Sequence, residues 1–103
     1  MAKNKSVKKI KSKIEKSLRP GGAFSVAVDK VANCARPLSG GGGYFVDEVE
    51  LTSALRSLYE LKIAPGVTGR DVIGGVPGAV RHCSDRWSHI PAAGLRVAMG
   101  NLR

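Results

Sequence analysis

A chain of 103 residues has room for one small hydrophobic core and not for a second independent one. Its net charge of +9 points to an acidic partner, and two cysteines, Cys34 and Cys83, are too few for a disulfide framework. No apolar run approaches the ~20 residues of a membrane span, and no signal-peptide core follows the N-terminal charges.

The expected location is therefore intracellular, in the cytoplasm or the nucleoid or nucleus, with reduced thiols. One tryptophan, two tyrosines and two phenylalanines leave a core that must be aliphatic and alanine-rich. The thirteen glycines predict long connections.

The charge is unevenly spread. Residues 1–20 carry Lys3, Lys5, Lys8, Lys9, Lys11, Lys13, Lys16 and Arg19 against Glu15 alone, while the rest of the chain is nearly balanced. Such an arm suits DNA, RNA or an anionic surface. Its plainer reading is a solubilising tail. Against a tail, Val7, Ile10, Ile14 and Leu18 fall within one narrow stripe at ~100° per residue, with Lys9, Lys13 and Lys16 opposite. The spacing predicts a helix, capped by Ser6 and ended by Pro20-Gly21-Gly22. Its lysines repel one another, so the helix forms when the stripe packs or a polyanion neutralises the back.

Residues 23–35 carry Phe24, Val28, Val31 and Ala35 at helical spacing and Phe24, Val26, Val28 at strand spacing. Ala27, Lys30 and Ala32 favour the helix. Ser39-Gly40-Gly41-Gly42-Gly43 reads as a flexible connector within a 37–45 loop. It lacks the strand and the lysine-serine or lysine-threonine pair of a phosphate-binding loop.

Residues 47–62 form the clearest helix. Asp47 and Glu50 match a capping pattern, Leu51, Ala54, Leu55, Leu58 and Leu61 line one face, and Lys62 sits at the negative end of the dipole. Ile63-Ala64-Pro65-Gly66 is a turn. Thr68 then caps a short helix to about Val76, with Asp71 at its third position and Val72, Ile73 and Val76 inward. A helix over 78–88 carries Val80, Cys83 and Trp87, with Arg81 and Arg86 outside and Asp85 as their local ion partner. A last helix over 91–102 starts at Pro91 and carries Leu95, Ala98, Met99 and Leu102.

No constellation of catalytic type stands out. Cys34, His82, Cys83 and His89 are possible zinc ligands. However, the adjacent His82 and Cys83 point apart on a helix and Cys34 lacks a second nearby ligand. Cys83 and His89 as nucleophile and base could meet only across a helix end. Asp47, Glu48 and Glu50 are explained by capping. Trp87 suits a core anchor better than a base-stacking platform.

The order of a capped helix, a Pro-Gly turn, a short helix and a helix with outward arginines has the grammar of a helix-turn-helix. The stretch IPAAGLRVAMGNLR, residues 90–103, resembles the recognition helix of winged-helix regulators, with a small-residue start followed by an arginine. The resemblance implies that this helix enters the major groove, with Arg96 and Asn101 as base-reading types. Residues 77–90 are long for a tight helix-turn-helix, and no β wing is expected after Arg103.

The expected fold is mostly α: a small single-domain helical bundle, with a helix-turn-helix-like arrangement as one option. A basic N-terminal arm (1–20) precedes a small helical domain (21–103) with its Gly-rich loop. The expected function is non-enzymatic nucleic-acid binding, to DNA or RNA, without cofactor or metal and with scope for homo-oligomers. The phosphate contacts are Lys3, Lys5, Lys8, Lys9, Lys11, Lys13, Lys16 and Arg19, with Arg81, Arg86, Arg96 and Arg103 as second-tier contacts. The alternative is a structural component of a ribonucleoprotein or viral assembly. Membrane attachment through residues 6–18 is disfavoured, because a stripe with no aromatic residue inserts only shallowly.

Overall fold

The computed structural model describes residues 2–102, with side chains described for residues 8–102. Arg103 and the side chains of Lys3, Lys5, Ser6 and Val7 lie outside the described residues. The chain is mostly helical and forms one core. Its elements run α1 (Ala2–Leu18), α2 (Ala23–Ala32), β1 (Ala35–Pro37), β2 (Tyr44–Val46), α3 (Glu48–Glu60), β3 (Lys62–Ala64), β4 (Val67–Thr68), α4 (Gly69–Gly75), α5 (Pro77–Arg86) and α6 (Ala92–Gly100).

The α1 helix already runs from Ala2, so Ser6 lies within it and is not its cap. After Leu18 the chain turns sharply. Gly22 N–H donates to the Arg19 carbonyl at 2.8 Å, Pro20 takes the second turn position, and Gly21 takes the third with φ 81°. That sequence and that positive φ are what a type II turn requires. Gly22 is pressed onto the last turn of α1, where a Cβ would lie 2.4 Å from the Lys16 carbonyl oxygen. The connection is a close-packed elbow.

The ambiguity in residues 23–35 resolves as a helix over 23–32. Phe24, Val28 and Val31 are fully buried while Val26 is 45% exposed, a period of three to four and not of two. Two short antiparallel hairpins are the elements that the sequence pattern did not predict. β1 pairs with β2 in the register Ala35–Val46, Arg36–Phe45 and Pro37–Tyr44. Its loop is the glycine run: Gly40, Gly41, Gly42 and Gly43 all have positive φ, and Leu38 N–H donates to the Gly43 carbonyl. The expected turn at residues 63–66 is the tip of the second hairpin, with β3 pairing to β4 across Pro65 and Gly66.

The α3 helix is the central post. Asp47 caps it by accepting from the N–H groups of Val49 (2.9 Å) and Glu50 (3.2 Å). Its Leu51, Leu55 and Leu58 are fully buried, each contributing about 2 kcal/mol of transfer free energy. The helix ends at Glu60, so Lys62 belongs to β3 and not to the last helical turn. The α2 and α6 helices pack on α3, and α4 packs on α3 and α5. Val72, Ala79, Cys83, Ile90 and Ala98 complete the core, with Trp87, Leu95 and Leu102 half-buried against it.

Two apolar residues expected inward, Val80 and Met99, face solvent. On α5 the buried position is Ala79, and Val80 is exposed. Met99 on α6 is exposed, whereas Val76 packs against the core as expected. The α5 and α6 helices are joined by residues 87–91, and α5 packs chiefly on α4 and α2. The chief neighbour of α6 is α3. Among the described residues, no helix is long and apolar enough to cross a membrane.

Candidate nucleic-acid interface

The α1 helix divides by exposure as its stripe implies. Ile14 and Leu18 pack against the core and Ile10 is half-buried, whereas Lys8, Lys9, Lys11, Lys13, Lys16 and Arg19 are exposed. Anchoring comes from the near half. The α1 helix packs chiefly on α2 and β3, and Ser25 Oγ donates to the Leu18 carbonyl at 3.1 Å. That carbonyl is one of the last four in the helix and has no helical partner of its own. The buried Ser25 hydroxyl therefore ties the end of α1 to the start of α2.

None of these six basic groups forms an ion pair among the described residues, where the ion pairs are Arg36–Glu50 and Arg86–Asp29. Even Glu15, on the same helix, stands outside hydrogen-bonding range of them. Like charges one turn apart raise the potential along the exposed face. The result is a helix with a row of exposed basic groups that form no ion pair among the described residues, spaced along its axis by the ~1.5 Å rise per residue.

The second-tier arginines are scattered. Arg81 is exposed on α5 and Arg96 is exposed on α6. Arg86, at the end of α5, is held by the Asp29 carboxylate of α2 and not by its neighbour Asp85. Neither α5 nor α6 is a chief packing partner of α1, so helix packing does not gather these arginines beside the lysines. Asn101, expected to read bases, donates its side-chain amide to Thr52 Oγ1 on α3 at 3.4 Å. One basic residue overlooked in the sequence does neighbour α1. Lys62 is exposed on β3, the strand that α1 packs on. Its assignment to the end of α3 concealed this.

The residues weighed for metal or covalent chemistry have other attachments. His82 Nε2 faces Ser25 Oγ at 3.5 Å, and His89 Nε2 lies 2.9 Å from the Ala32 carbonyl. Cys34 Sγ donates to the Lys30 carbonyl. Burial pushes the Cys34 thiol above its ordinary pKa and pushes Cys83 up to about 11. Both thiols are therefore protonated near neutral pH and are poor nucleophiles. Among the described residues, no three His, Cys, Asp or Glu side chains cluster as metal ligands would. Trp87 is half-buried against the core and its indole N–H donates to the Val28 carbonyl at 3.3 Å.

No protein family, curated protein or solved structure matches the chain.

Proposed function

We propose that the protein binds nucleic acid without enzymatic activity, gripping phosphates with the exposed face of α1. The supporting observation is the row of Lys8, Lys9, Lys11, Lys13, Lys16 and Arg19, all exposed and none ion-paired among the described residues. Among the described residues no carboxylate is ion-paired with these charges. Packing of Ile14 and Leu18 on the core holds the near half of the helix in place, which lowers the cost of ordering its cations against a duplex backbone. Contacts of this kind position without reading sequence. The reading rests on α1 and not on insertion of α6 into a groove.

The decisive experiment replaces charge and keeps the helix. Removing residues 1–20 would strip Ile14 and Leu18 from the core and confound fold with binding. The variant Lys8→Gln/Lys9→Gln/Lys13→Gln/Lys16→Gln keeps the apolar stripe and the elbow. With six phosphate contacts, log K of the wild type falls with log salt at a slope of about −5 on duplex DNA. The variant brings that slope to about −2 while its circular dichroism stays unchanged. A wild-type affinity that ignores salt would remove the proposal.

A further inference from the structure

The α4 and α6 helices both pack on α3, and beside the last turn of α3 they leave a cavity of about 350 Å³. Its lining is Tyr59 of α3, Arg70, Ile73 and Gly74 of α4, and Met99 and Leu102 at and just past the end of α6. That volume falls in the lower part of the range for small-molecule sites, roughly 300–1,000 Å³. No lining residue belongs to α1, so the cavity is separate from the row of lysines.

The fold does not require glycine at residue 74. Its backbone is helical, and a Cβ there would meet no atom within 4 Å. A glycine within a helix weakens it relative to alanine. The effect of the missing side chain is to leave this wall of the cavity open.

Arg70 supplies the charge, and it is the ionised group among the six lining residues. Its guanidinium carbon stands over the Tyr59 ring, 6.0 Å from the centroid. Such a contact orients the group while its N–H donors stay available to an acceptor. Among the described residues Arg70 forms no ion pair. The carboxylate next to it in sequence, Asp71, accepts instead from the Thr68 N–H and hydroxyl. Burial raises the Tyr59 phenol above its ordinary pKa, so the ring brings no negative charge against an anion.

We propose that the cavity binds a small aromatic carboxylate, with the carboxylate on the Arg70 guanidinium and the ring among Ile73, Met99 and Leu102. A guanidinium matches a carboxylate with two parallel N–H···O bonds. The Met99 thioether and the Tyr59 ring favour an aromatic body over an aliphatic one. Met99 is 42% exposed, and a ring against it covers apolar surface. The inference stands apart from nucleic-acid binding, in which these six residues have no part.

The test is calorimetric titration of the full chain with 2-naphthoate, with 2-naphthamide as the uncharged control. The acid is expected to bind at one site with a Kd on the order of 0.1 mM, and the amide at least about tenfold more weakly. Arg70→Gln should weaken the acid about tenfold and leave the amide unchanged. Gly74→Leu and Met99→Trp close the cavity from α4 and from α6 with apolar groups. Each should remove binding of both probes with circular dichroism unchanged. Leucine at residue 74 displaces no neighbour, so the urea midpoint should not fall.

Acid and amide that bind alike overturn the proposal, as does a wild type that 2-naphthoate fails to saturate by about 10 mM. Acid binding that both Gly74→Leu and Met99→Trp leave intact places the probe elsewhere and overturns it too. Duplex binding by Arg70→Gln is measured alongside, and an unchanged salt slope is expected. A slope smaller by about one unit, with the affinity for the acid kept, makes Arg70 a phosphate contact and removes the inference.

Discussion

The Arg86 guanidinium at the end of α5 donates to the Asp29 carboxylate on α2, 57 residues away, with Nε 2.8 Å from Oδ1 and Nη2 on the same oxygen. The next residues follow it. Trp87 Nε1–H donates to the Val28 carbonyl, and His89 Nε2 meets the Ala32 carbonyl. The Ala32 carbonyl lies in the last turn of α2, where a helix leaves carbonyls without partners. Residues 86–89 thus strap the α5–α6 connection onto α2. The ion pair is half-exposed, so solvent screens it. Arg86→Gln is expected to cost about 0.5–1 kcal/mol, read as a lower urea midpoint, with duplex affinity unchanged. A loss of binding without a loss of stability would place Arg86 among the phosphate contacts.

Gly22 decides how α1 joins the body. A Cβ at this residue would sit 2.4 Å from the Lys16 carbonyl oxygen and 2.5 Å from that of Ser17, and both are backbone atoms that cannot step aside. Gly22→Ala is therefore expected to cost about 2 kcal/mol or more, by prising α1 from α2. Gly21→Ala meets no atom within 4 Å but must hold φ 81°, a strain of about 1 kcal/mol. Urea melts followed by circular dichroism should rank the two in that order. An equal loss would mean that turn conformation, and not helix approach, sets the angle of α1.

These residues also show what could be read ahead of the structure. The helices were legible because their apolar positions recur at three and four: Phe24, Val28 and Val31, then Leu51, Leu55 and Leu58. Thr68 and Asp71 announced α4 by their spacing alone, and the two side chains do cap it. The hairpins were not legible, since strands of two or three residues are too short to show alternation. Long-range partners were hidden for another reason. Asp85 lies beside Arg86 in sequence, but Asp29 meets it only once α2 and α5 are packed. In the candidate interface, the lysines follow from composition and helical period. That Lys8, Lys9, Lys11, Lys13 and Lys16 form no ion pair among the described residues is visible only in three dimensions.

The Thr68–Asp71 box gives a pH dependence with a definite sign. Asp71 Oδ2 accepts from the Thr68 N–H at 2.9 Å and from its hydroxyl at 3.0 Å. The backbone bond first, and the hydroxyl second, hold the carboxyl below its ordinary pKa. A depressed folded pKa means stability that is fully present above the unfolded value of about 3.9. That stability disappears as pH falls through the folded value. Asp71→Asn removes the ionisable group. The gap in urea midpoint between wild type and variant should be constant above about pH 5 and should shrink on acidification. A gap that widens as pH falls would contradict the hydrogen bonding described.

Cys83 offers a test of the core itself. It sits on α5 beside Ala79 in the buried cluster, and desolvation alone raises its thiol to about 11. The attacking species in thiol exchange is the thiolate. At pH 8 a thiol of that pKa is ionised at about one part in a thousand, against about a quarter for an ordinary cysteine near 8.5. Ellman's reagent should therefore label Cys83 at least about a hundredfold more slowly in the native protein than in guanidinium. Cys34, raised by burial and next by the Glu50 charge, should also react slowly. Cys34→Ser isolates the Cys83 rate. If that single thiol then reacts as fast as a free cysteine, α5 opens readily from α2 and the strap formed by Arg86, Trp87 and His89 does not hold it.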